Sequence, residues 1–152
     1  DIEFINDILC IHIRPLKPDQ QVKNRSSTRV IPIHSSLADA LQERLATLKM
    51  QGEVRLFPDI PFHKQNGYAG TPSKWWGKYK TKVLGANAKG LTFHSFRHTV
   101  ANELKQQGIE EKYIAALLGH SFGSITHSRY GKDYAPESLL PVVKSFKWQI
   151  KF

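Results

Sequence analysis

The stretch FHSFRHT, residues 93–99, sets His94, Arg97 and His98 within five positions and contains no carboxylate. On a helix, His94 and Arg97 are three apart and project from neighbouring positions of one face. A guanidinium fork meets two phosphate oxygens at once, which an ammonium cannot do. An imidazole beside it can donate to the same anion. A second stretch, LLGHSFGSITHSRYGK, places His120 after a glycine and Tyr130 ten residues later, between Arg129 and Gly131. A phenol of pKa about 10 is a poor nucleophile at neutral pH, and cationic neighbours would stabilise its phenolate. Taken singly, each residue has a plainer reading. A lone tyrosine serves packing more often than catalysis, and two histidines four apart also fit a helical metal pair. The glutamate of the zinc-protease HExxH pattern is absent, however, because Ser95 and Phe96 fill the middle. We assign no metal ligands, and give His98 and His127 structural or surface roles.

These residues need elements to hold them. IEFINDILCIHI reads as two strands around Asn6-Asp7, a pair suited to a tight turn. After a loop with Pro15 and Pro18, TRVIPIH makes a third β-branched run, with Lys23, Asn24 and Arg25 in the connection before it. From Ser36 to Met50, Leu37, Leu41, Leu45 and Leu48 share a helical face, and Ser35 or Ser36 can cap its start. The proline-bearing stretch from Gly52 to Gly70 reads as loop. Thr71-Pro72-Ser73 then opens a helix through Leu84.

A helix beginning near His94 carries Phe96, Val100 and Leu104 at spacings of four, so Phe96 is expected to face the core while His94 and Arg97 face outward. It ends at Gly108. The next helix has Glu110 and Glu111 in its first turn, where the dipole favours negative charge. Tyr113, Ile114, Leu117 and Leu118 would be buried, and Gly119 would stop it. A short helix is expected to carry Tyr130, and the amphipathic tail from Pro136 to Phe152 to pack. The fold class is α+β, predominantly helical, with a small three-stranded antiparallel sheet near the N-terminus.

The 152 residues suit one domain large enough for a real core. No apolar run approaches membrane-spanning length, and no signal peptide opens the chain. Cys10, the one cysteine, reads as a small core residue of a reducing compartment. The formal charge of +9 favours a polyanionic partner, although a solvated basic surface would give the same number. Lys74, Lys78, Lys80, Lys82 and Lys89 form a basic region interleaved with Trp75, Trp76 and Tyr79. At helical spacing, those rings are expected in the core rather than as base-stacking platforms.

Together, FHSFRHTVANEL, LLGHS and SRYGK resemble the catalytic signature of the tyrosine recombinase (phage integrase) family. That signature is HxxR, then a Leu-Gly-His turn, then a tyrosine about nine or ten residues on. Upstream, VKNRSSTRVIPIH is similar to the family's sheet segment, in which a hairpin lysine precedes a serine, an arginine and a Val-Pro-Leu-like strand. The resemblance runs from Asp1 to about Lys132. It implies a DNA breaking-rejoining enzyme fold, with Lys23, His94, Arg97, His120 and the nucleophile Tyr130 as catalytic residues.

By the same resemblance, the anion between imidazole and guanidinium is a scissile phosphate, joined to Tyr130 through a 3′-phosphotyrosine bond with no cofactor. Arg25 is the second choice for the lysine's place and, with Lys74 and Lys78, is expected to contact DNA, a solvated face being the other reading of the lysines. The implied partners are double-stranded DNA and further recombinase protomers, as a tetramer on DNA, with no membrane. The implied location is the cytoplasm, at the nucleoid, for a protein encoded by a bacterium, a phage or another mobile element. The family also has an arginine followed by an acidic residue before the sheet. Since Asp1 leads straight into a strand, residues 1–152 are expected to be a C-terminal catalytic domain lacking that arginine and an N-terminal DNA-binding domain, and inactive alone. The alternatives are a DNA-binding relative without catalysis and a metal-dependent hydrolase using the histidines.

Overall fold

The structure is a computed structural model that describes residues 1–20, 22, 27–120 and 134–146. Two strands, β1 (Ile2–Ile5) and β2 (Ile8–Ile13), form an antiparallel hairpin in which Ile5 faces Ile8. Asn6 and Asp7 adopt φ of 47° and 61°, the left-handed pair of a two-residue turn whose twist matches the strands. The third strand, β3 (Arg29–Pro32), pairs antiparallel with β2, Ile11 opposite Ile31, giving the order β1-β2-β3. The expected three-stranded sheet is therefore present. Cys10 is fully buried in it, and burial pushes its thiol pKa up.

Helices follow: α1 (Ser35–Met50), α2 (Gly70–Leu84), α3 (Phe93–Gln106), α4 (Glu111–Leu118) and α5 (Pro136–Ser145), with a 3-10 turn at Gly85–Ala88. The chain is thus predominantly helical with one small sheet, as the sequence predicts. The expected helix around Tyr130 lies outside the described residues. At the start of α1 the cap is neither serine. The His34 ring accepts the Ser36 backbone N–H through Nδ1 at 3.1 Å, because an imidazole one residue before the helix reaches its unpaired donors as a serine would.

The chain divides into two compact units. The first comprises residues 1–39 and the chain from 100 onward, and the second comprises 40–99. In the first, α5 lies against β2, β3 and α4. Leu104, Ile114, Leu117, Leu139 and Val142 form its core, flanked by half-buried Ile31, Val100, Tyr113 and Leu118. The apolar spacing expected for α3 beyond Val100 and for α4 is realised here, and the tail packs as far as Phe146, the rest of it lying outside the described residues. Pro136 opens α5 at the position where its missing N–H costs nothing.

In the second unit, α1 contributes buried Leu48 and half-buried Leu41 and Leu45. The long connection to α2 is irregular except for a bridge between His63 and Gly67. Arg55 lies 4.8 Å above the Tyr68 ring there, and Arg44 Nε donates to the Leu56 carbonyl at 3.2 Å. Two expectations fail in this unit. Phe96 is 47% exposed rather than in the core, and α2 has no buried residue, with Trp75 and Tyr79 at 57% and 46% exposure. Helical spacing put Trp75 and Tyr79 on one face of α2 and Phe96 in line with Val100 on α3, but among the described residues no element covers these rings enough to bury them.

Candidate active site

Thr92 and Ser95 set where α3 begins. The Ser95 hydroxyl accepts the Thr92 backbone N–H at 2.9 Å, and the Ser95 N–H donates to the Thr92 carbonyl at 3.1 Å. The first bond is one half of a capping box, with serine where glutamate is more usual, and the second is an ordinary backbone turn bond. It fixes His94 as the second residue of the helix and Arg97 as the fifth, one turn on. His94 is exposed and Arg97 half-buried. The first turn contains no acidic residue, so its N–H groups and the positive end of the helix dipole are uncompensated by carboxylate on that turn. The His94 and His98 rings meet edge to face, centroids 4.7 Å apart. Among the described residues no group of three or more His, Cys, Asp or Glu side chains could hold a metal ion.

Phe96, between these residues, does anchor the turn, but against a neighbouring ring rather than a sealed core. Its centroid lies 4.8 Å from that of Trp76, which also sits 5.7 Å from Phe93. Lys80 is tied down nearby. Its ammonium donates to the Ala88 carbonyl at 2.9 Å and to that of Leu91, closing the connection from α2 into α3. This lysine of the basic region therefore has a structural task. Lys74, Lys78 and Lys82 are exposed along α2 instead.

In the first unit, Gly119 ends α4 at φ 68°, ψ 40°, left-handed as a helix-stopping glycine should be. The His120 N–H bonds to the Ala115 carbonyl at 2.9 Å, so the turn fixes the backbone of this exposed histidine. Arg29 adds a support that spacing alone did not reveal. From β3, its Nε donates to the Leu117 carbonyl at 2.9 Å and its Nη1 to that of Ser27 at 2.7 Å. A cation thus binds the C-terminal end of α4, where the dipole favours it, two residues before Gly119. The sequence signal was present, an arginine leading the third strand, but its partner is 88 residues away. Lys23, Arg25 and Tyr130 lie outside the described residues, as does His127.

The phage integrase family model matches residues 1–136, most of the chain. The chain belongs to the phage integrase family. A tyrosine recombinase XerC-like protein of Caldanaerobacter subterraneus subsp. tengcongensis is 32% identical over 125 residues, 77% of this chain and 32% of the relative. Tyrosine recombinases XerD of Staphylococcus saprophyticus and Staphylococcus aureus are each 26% identical over 99 residues, 64% of the chain and 34% of their length. The chain spans about a third of the length of these curated relatives. No solved structure matches it. Membership lends the HxxR, Leu-Gly-His and tyrosine series a common context that the isolated residues lacked. Among the described residues, no helix is long and apolar enough to cross a membrane.

Proposed function

We propose that this chain is the catalytic part of a longer site-specific recombinase that cuts and rejoins double-stranded DNA. The observation that carries the reading is family membership over residues 1–136, which takes in HxxR, the Leu-Gly-His turn and the tyrosine. In this reading Tyr130 gives its phenolic proton to a base, a role open to His94, and its oxygen attacks a backbone phosphorus. A 3′-phosphotyrosine bond forms, the bond from phosphorus to the 5′-oxygen breaks, and that oxygen leaves as a hydroxyl after taking a proton from Lys23. A new 5′-hydroxyl reverses the attack and joins a different strand, so no outside energy source is needed.

Negative charge grows on the nonbridging oxygens in the transition state. Arg97, His94 and His120 are assigned to stabilise it, and loss of one such donor typically costs about 10²–10³ in rate. The exposed position of His94 in an acid-free first turn supports this assignment. Lys23 as general acid would contribute roughly 10²–10⁴, with Arg25 the residue to examine should it fail. Lys74 and Lys78, exposed on α2, would contact phosphates. Further protomers would assemble on the DNA as a tetramer, and the setting would be the cytoplasm of a bacterium, in a phage or mobile element.

A suicide substrate, which traps the covalent protein–DNA adduct, tests the reading. Tyr130→Phe in the full protein should abolish the adduct and keep DNA binding, and an adduct from that variant would remove Tyr130 from the role. Lys23→Ala should slow cleavage of normal DNA but spare a 5′-phosphorothiolate, whose sulfur leaves without protonation. Equal defects on both substrates would shift the general acid elsewhere.

A further inference from the structure

Along α2, Lys74, Lys78 and Lys82 recur at spacings of four, and Trp75 and Tyr79 form the adjoining row. All five side chains are exposed. The two rings lie nearly parallel, 12° apart with centroids 5.0 Å apart, so they already make a short stack along the helix surface. The neighbouring Trp76 behaves differently: half-buried, it packs on the rings at the start of α3. One tryptophan therefore holds α2 in place, while the next leaves more than half its surface in water.

We infer that the stacked Trp75–Tyr79 pair is a platform for unpaired nucleobases, with the lysine row holding the phosphates of the same strand. The inference rests on the recombinase reading, because exchanging strands between duplexes frees bases that a closed duplex keeps stacked. Sites for single-stranded nucleic acid combine a cationic track with aromatic faces on which successive bases lie. α2 has both on one side and contains no acidic residue. A protein partner fits less well, since lysine is depleted from protein interfaces and three would lie beside the rings. A base laid on Trp75 would extend a two-ring stack to three.

The test compares binding of the 152-residue chain to a fluorescein-labelled oligothymidine and to a duplex of equal length, at one salt concentration. Trp75→Leu keeps apolar bulk but removes the π face. It should lower the ratio of single-strand to duplex affinity about tenfold, as expected for one stacked base. Trp75→Phe should restore most of that ratio, and Lys78→Ala should weaken both ligands together. Circular dichroism would confirm that each variant is folded. An unchanged ratio in Trp75→Leu overturns the platform, as does dissociation of a self-associated chain by the same variant, which would make the face a protein contact. No cleavage enters this measurement. A Trp75-dependent ratio in the chain, found together with a full-length protein that forms no phosphotyrosine, would defeat the catalytic reading and leave the platform standing.

Discussion

In the first unit Leu104, Leu117, Leu139 and Val142 are between 1% and 7% exposed, whereas Met50, Val54, Phe57, Trp75 and Val83 of the second stand between 56% and 82% exposed. Composition makes part of the difference, since six of the eight residues of α4 are apolar against five of the fifteen of α2. In the first, α4, α5 and the sheet pack on one another and on Leu104 of α3, although Phe4 and Leu16 stay 60% exposed. In the second, the aromatic residues of α2 and early α3 pack ring to ring while staying largely in water. The contrast runs along α3 itself. Its N-terminal turns carry His94, Arg97 and exposed Phe96, and its later turns carry Leu104 into the core. The end that carries His94 and Arg97 and the end that stabilises the core are separate stretches of this helix.

Stability measurements can break that contrast most directly. Leu104→Ala removes a side chain that is 1% exposed and should destabilise the chain by about 2–5 kcal/mol. Phe96→Ala, despite losing more atoms, should cost only about 1–2 kcal/mol, the aromatic pair together with the partial burial of a ring left 47% exposed. Denaturant unfolding of both variants gives the comparison. Similar losses would mean that the second unit is held by its rings as firmly as the first is by its core.

Arg97→Ala sharpens it from the other side. In the full protein the adduct should form about 10²–10³ times more slowly on a suicide substrate. Its midpoint of unfolding should move less than that of Leu104→Ala. A variant that lost folding and activity in proportion would make Arg97 a structural residue.

How legible the molecule was in its sequence follows the same division. The Asn6-Asp7 turn, the three strands and the glycine stop at Gly119 could be read because local backbone chemistry decides them. The core residues of α4, and the packing of α5 without its particular residues, could be read because a neighbour covers them. Exposed Phe96, Trp75 and Tyr79 could not, since a 3.6-residue period identifies a shared face and says nothing of what lies against it. The His34 cap was missed because serine is the commoner choice at that place. Arg29 was missed as a support because its partner is remote in sequence. HxxR and the Leu-Gly-His turn were visible from residue types and gaps alone, and the cap at Thr92 and Ser95 explains why HxxR falls at the beginning of a helix.

A smaller effect is expected at the turn that holds His120. Gly119 has φ 68°, where a Cβ meets the backbone, so Gly119→Ala should cost about 1–2 kcal/mol. Gly119→Asn should cost less, because asparagine tolerates this conformation. Adduct formation should fall further in the alanine variant than in the asparagine one, as the His120 backbone is displaced from its bond to Ala115. Equal activity in both would detach His120 from its turn as a functional unit.

The smallest effect tests whether the cohesion of the first unit reaches its charged rim. The Asn6 amide, on the hairpin turn, donates to the Glu137 carboxylate in the first turn of α5, and this bond holds the Glu137 pKa below the ordinary glutamate value. A carboxyl lowered in the folded state adds stability above its unfolded pKa, and that contribution is lost as pH falls through the folded value. Glu137→Gln retains an acceptor for the amide and cannot titrate. The wild-type chain should therefore lose stability relative to the variant as the solution is acidified through the carboxylate range, with no further relative change above it. Because the pair is exposed, added salt should shrink the difference. Unfolding midpoints of the two proteins across that pH range measure it. Parallel profiles would show that the hairpin and α5 are held by the apolar core alone.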